Sequence, residues 1–138
     1  MSQVSSQSAS VWAGRIIGVL AILALLADAA SILMLPPGMQ AKFAATGFPD
    51  STATALGAIL LICTIFYAMS RTAVLGAILL TGFLGGAICA HFRLGEIGSP
   101  PQIISLVLGV SLWGALYLRN ARVRSLLPVM ASTKTSMM

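Results

Sequence analysis

A few ionisable side chains lie within the apolar stretches of this 138-residue chain, among them Asp28, His91 and Arg93. A carboxylate and an imidazole can exchange protons, and a guanidinium can hold an anion. Each costs at least ~2.5–3.5 kcal/mol in hydrocarbon unless it meets a partner or water. Asp28 sits ~10 Å below the end of the first apolar run at Leu35, taking ~1.5 Å per helical residue. His91 sits ~3–6 Å below the end of the third run, near Arg93 or Gly95. Both depths fall in one leaflet, so Asp28 is expected to pair with His91 or Arg93, fixing the bundle and lining a shallow outward pocket. Two residues apart on a helix, the His91 and Arg93 side chains diverge by roughly 160–200°. One of them can therefore pair inward while the other reaches headgroups. Thr81, nearly three turns before His91, could line the same face. His91 and Arg93 also suit the last turn of a helix, where cations complement the carbonyl end. Both readings stay open.

Other chemistry is sparse. Cys63 and Cys89 are the two cysteines. Their expected depths differ, ~15 Å against ~6–9 Å. A disulfide needs Cα atoms within ~7 Å, so they read as small packing residues. A single histidine supplies neither a zinc set nor a bis-histidine haem, and no metal site or cofactor is expected. Trp12, Trp113 and Tyr117 read as interfacial anchors near the ends of their helices.

The elements that must position these residues follow from composition. Apolar residues make up 58% and charged residues 8% of the chain, and mean hydropathy is +0.98. Soluble domains carry about 25% charged residues, so the main solvent here is the lipid bilayer. Four apolar runs are near the ~17–25 residues that a spanning helix needs. They cover 11–35, 52–69, 72–93 and 101–118. The expected fold is all-α, an integral membrane four-helix bundle with antiparallel neighbours. Ser70 and Arg71 leave room only for a tight hairpin between the second and third spans. "PPGMQAKFAATGFPDS" between the first two is long enough for a small structured loop. Residues 1–10 and 129–138 read as disordered polar tails around a domain at 11–128.

The net charge of +5 does not point to nucleic acid, because the basic residues stand singly at the ends of the apolar runs. "RNARVR" at 119–124 is the one cluster, and it reads as a topology signal with headgroup contact. Arg15, Arg71, Arg119, Arg122, Arg124 and Lys134 fall on the side of the termini, against Lys42 and Arg93 opposite. That places both termini in the cytoplasm. "ADAAS" also resembles a signal-peptidase site whose cleavage would leave three spans. The apolar run continues past it through "SILML", which favours an intact first span.

Lipid supplies no hydrophobic drive between helices, so small residues must let the backbones approach. Each span carries a pair four apart: Gly14 and Gly18, Ala53 and Gly57, Gly82 and Gly86, Ser105 and Gly109. With Gly85 added, Gly82, Gly85 and Gly86 are expected to make the third helix central, pressed against its neighbours.

The segment "RTAVLGAILLTGFLGGAICAHFRLG" (71–95) resembles the central signature of the DoxX-like family of small four-helix membrane proteins. "TGFP" (46–49), "LYLRNARVRSLLP" (116–128) and the aspartate of the first span extend the likeness over most of 12–128. The matching positions are Asp28, Gly47, Pro49, Arg71, Gly76, Gly82, Gly85, Gly86, His91 and Arg93. The resemblance implies a bacterial inner membrane location and little chemistry, with some relatives tied to quinone-linked sulfur oxidation or redox-stress complexes. Leu60 stands where the family usually has a glutamate, and Ser70 where a proline is common, so activity attributed to that glutamate is in doubt here. The expected function is a non-enzymatic accessory subunit of a membrane redox or stress-response complex. The alternative is an enzyme or carrier for a small lipophilic molecule such as a quinone, using an Asp28/His91 pocket. Oligomeric state is left open.

Overall fold

The structure is a computed structural model describing residues 2–126, with side chains from residue 8 onward. Six helices follow one another: α1 (Ser2–Met34), α2 (Pro37–Thr46), α3 (Ala53–Ala68), α4 (Ala73–Arg93), α5 (Pro100–Arg119) and α6 (Ala121–Leu126). A 3-10 turn at Asp50–Thr52 precedes α3, and no strand occurs among the described residues. Ser8–Met34, Asp50–Ala68, Ala73–Arg93 and Pro100–Arg119 are each long and apolar enough to cross a membrane.

Helix boundaries follow local chemistry. Leu35 takes a left-handed φ of 43° ahead of Pro36, which cannot continue α1. Pro37 then opens α2, which closes on Gly47 at φ 73°. Pro100 opens α5, where its missing N–H is no loss. The Gln102 side chain turns back to accept the N–H groups of Gly98 and Ser99 at 2.8 and 3.3 Å. The polar tail expected at 1–10 is helical from Ser2, since nothing in its serines, glutamines and alanine stops propagation from α1. The C-terminal tail expected at 129–138 lies outside the described residues.

The four long helices form a ring in which α1 touches α3 and α5, and α4 closes the square between them. Neighbours are antiparallel, because Gly14 near the start of α1 meets Leu118 near the end of α5, while Ile32 and Leu33 meet Gly57 near the start of α3. Leu25, Ala29, Leu60, Tyr67, Ala77, Leu80, Leu112 and Ala115 are fully buried inside the ring. Outward faces carry large apolar residues such as Leu20, Ile62, Ile78 and Val110, as lipid contact requires.

The close approaches fall at Gly14, Gly57 and Gly76. A Cβ at Gly14 would lie 2.7 Å from Leu118 Cβ and 3.0 Å from the Ala115 carbonyl. At Gly57 it would lie 2.7 Å from Leu33 Cγ, and at Gly76 it would strike the Tyr67 backbone. At Gly82, Gly85 and Gly86 it would meet nothing within 4 Å. The packing role expected of those three is thus corrected: α4 packs through Gly76, Ala77, Leu80 and Leu84, while a Cβ at Gly82, Gly85 or Gly86 would enter open space.

Candidate functional site

The structure forms no hydrogen bond or ion pair between Asp28 and either His91 or Arg93. His91 and Arg93 close α4, where the Gly95 N–H donates to the Phe92 carbonyl at 3.0 Å and the Glu96 N–H to the His91 carbonyl at 3.2 Å. With Gly95 at φ 76°, this is a Schellman ending. It brings the His91 and Glu96 side chains together, Nδ1 to Oε2 at 2.7 Å. Arg93 instead reaches toward the α2–α3 loop, its Nη2 3.9 Å from where a Cβ on Gly47 would sit. Asp28 is exposed on α1 and makes no hydrogen bond or ion pair among the described residues.

The expected Asp28 pairing with His91 or Arg93 is therefore corrected. Side-chain direction around each helix leaves Asp28 without a bonded partner among the described residues and brings His91 to Glu96. The helix-end reading of His91 is the one the geometry fits. Asp28→Leu should accordingly leave the bundle folded, with its thermal midpoint in detergent at or above that of the wild type. A strong loss of folded protein would restore a structural partner for the carboxylate.

The larger opening lies elsewhere, between α4 and α5. Its volume is about 620 Å³, and its walls include Leu84, Gly85, Ile88, Gly109, Trp113 and Tyr117. The Trp113 indole donates to Thr81 Oγ1 at 3.0 Å, while Thr81 Oγ1 donates to the Ala77 carbonyl at 2.7 Å. Trp113 and Tyr117, expected as interfacial anchors, thus help wall a groove. Asp28, His91 and Arg93 do not line it. Cys63 is buried on α3 and Cys89 exposed on α4, both as free thiols. Among the described residues no three of His, Cys, Asp or Glu gather as metal donors. Leu60 is fully buried in the core.

Two residues escaped sequence reasoning. Tyr67 is fully buried and donates its hydroxyl across the bundle to the Leu112 carbonyl at 2.9 Å. The Arg119 guanidinium stacks over its ring at 5.1 Å. A tyrosine within an otherwise apolar span was the available signal; its partners are distant in sequence.

Four apolar helices in an antiparallel ring define a small multi-pass membrane protein. The family model of the DoxX-like family matches residues 16–115, and the chain belongs to that family. The match runs from within α1 to within the last two turns of α5, stopping short of Arg119 and α6. No curated protein and no solved structure matches the chain.

Proposed function

We propose that this chain is a non-enzymatic accessory subunit of a larger membrane assembly of the redox or stress-response kind, docked through its α4–α5 groove. The reading places it in the bacterial inner membrane with both termini cytoplasmic, supported by the six basic residues on the termini side against two opposite. The observation that carries the reading is the open space at Gly85 and Gly114, both in the groove wall. Glycine there does not serve the packing of this chain. A glycine face turned toward lipid suits the backbone of an incoming transmembrane helix. The groove offers hydroxyls at Thr81, Ser105 and Tyr117 but neither carboxylate nor imidazole, so holding a partner fits it better than proton chemistry.

A second reading, a carrier for a lipophilic ring such as a quinone, is favoured by the groove's size and its aromatic wall. A volume of about 620 Å³ falls in the ~300–1,000 Å³ range of small-molecule sites. Affinity purification of the wild type and of Gly85→Leu from native membranes separates the readings. The accessory role expects a defined membrane polypeptide with the wild type, lost from a Gly85→Leu variant that still elutes as a folded bundle. Retention of the polypeptide by Gly85→Leu overturns the docking face. A quinone in place of a polypeptide supports the carrier.

A further inference from the structure

At the other end of α5 a smaller pocket, of about 210 Å³, is lined by Arg15, Ser70, Ala73, Leu116, Arg119 and Asn120. It lies between the start of α1, the α3–α4 turn and the end of α5, on the side of the termini. Arg119 rests on the Tyr67 ring, and its Nη2 is buried without a hydrogen-bond partner. A guanidinium does not lose its proton in a protein. The ring face compensates part of the charge, but an unpaired N–H of a cation in a partly dry site still calls for an acceptor. The described residues supply none of the right charge. The chain's three acidic residues are Asp28, Asp50 and Glu96, and all lie toward the opposite end: Asp50 before α3, Glu96 after α4, and Asp28 ~15 Å along α1 from Gly18. Gly18 is the residue beside Arg119 Nη1, which would lie 3.6 Å from its Cβ. Donors, by contrast, converge. Arg15 brings a second guanidinium and Ser70 a hydroxyl. Asn120 spends its Oδ1 on the Arg122 N–H at 3.0 Å, which leaves its amide NH₂ as a donor.

We infer that this pocket binds a phosphate group, with Arg119 as the principal contact and Arg15 as the second. The phosphate comes either from the headgroup of an anionic phospholipid in the adjoining leaflet or from a soluble phosphate. Arginine forks match phosphate oxygens in geometry and charge, and a basic pocket between spanning helices at the headgroup level is where such a group is within reach.

The test uses the full chain in nanodiscs of phosphatidylcholine, with phosphatidylglycerol or inorganic phosphate added in separate arms. Thermal midpoint and lipid retention in native mass spectrometry are the readouts. Phosphatidylglycerol should raise the midpoint of the wild type and of Arg124→Gln, which removes the same charge from α6 outside the pocket. Arg119→Gln should lose that increment and bind phosphatidylglycerol roughly tenfold more weakly, as expected for one charge-assisted contact. An Arg119-dependent rise with inorganic phosphate alone assigns the site to a soluble phosphate. Equal responses of Arg119→Gln and Arg124→Gln, or no response of the wild type in either arm, overturn the inference. Should Arg119→Gln fail to fold, Arg15→Gln decides. Weaker binding than in Arg124→Gln supports the site, and equal binding overturns it.

Discussion

Gly76→Val should abolish the folded bundle, while Gly85→Leu on the same helix should leave it intact. The Cβ of a residue at 76 would overlap the N and Cα of Tyr67 and lie 2.7 Å from the carbonyl carbon of Phe66. These are backbone atoms, which cannot rotate aside as a side chain can. Nor can α3 and α4 easily separate there, because the turn between them is short and tied. The Thr72 hydroxyl donates to the Phe66 carbonyl at 2.8 Å, and the Thr72 N–H donates to the Met69 carbonyl at 3.1 Å. Relief must come from shifting a whole helix, at a cost of ~3 kcal/mol or more. At Gly85 nothing lies within 4 Å of the new Cβ, so a change within about 0.5 kcal/mol is expected. Size-exclusion profiles after graded heating in detergent check both. Equal tolerance at the two positions would contradict the packing described.

Tyr67→Ala should be the most damaging substitution within α3, and Tyr67→Phe should recover most of the loss. The Tyr67 side chain is fully buried, reaches from α3 to the Leu112 carbonyl on α5 at 2.9 Å, and carries Arg119 on its ring. Truncation to alanine leaves an aromatic-sized cavity and strands that cation, for a loss of ~3–5 kcal/mol. Phenylalanine keeps the ring and the cation contact and forfeits the hydroxyl bond, worth about 1 kcal/mol. The ordering wild type, then phenylalanine, then alanine is the result to look for in thermal midpoints. Phenylalanine as damaging as alanine would move the weight from ring packing to the hydroxyl.

The spans are legible from sequence because lipid imposes length and apolarity on any crossing helix, and the Ser70–Arg71 hairpin follows from having no residues to spare. Direction around each helix is not legible in the same way. When nearly every residue is apolar, no hydrophobic stripe marks the inner face, so Gly76 and Gly85 look alike although one touches backbone and the other faces open space. Asp28 and His91 illustrate the same point, for residue counting gives depth along an axis but not the partner beside it. The His91–Glu96 pair, missed in the sequence, does have a local signal. Gly95 four residues after His91 signals a Schellman ending, and that ending folds Glu96 back onto His91. The Tyr67–Arg119 contact depends on how α3 and α5 pack across the bundle, which no local pattern encodes.

The central claim is that the α4–α5 groove faces a partner in the membrane. A photo-reactive amino acid at Val110, exposed on the groove, tests it most directly when irradiated in native membranes beside the same probe at Ile62, exposed on α3. The expected result is a cross-link from Val110 to one membrane polypeptide of defined mass, with none from Ile62. Adducts to lipid alone at Val110, or the same polypeptides captured from both positions, would contradict it.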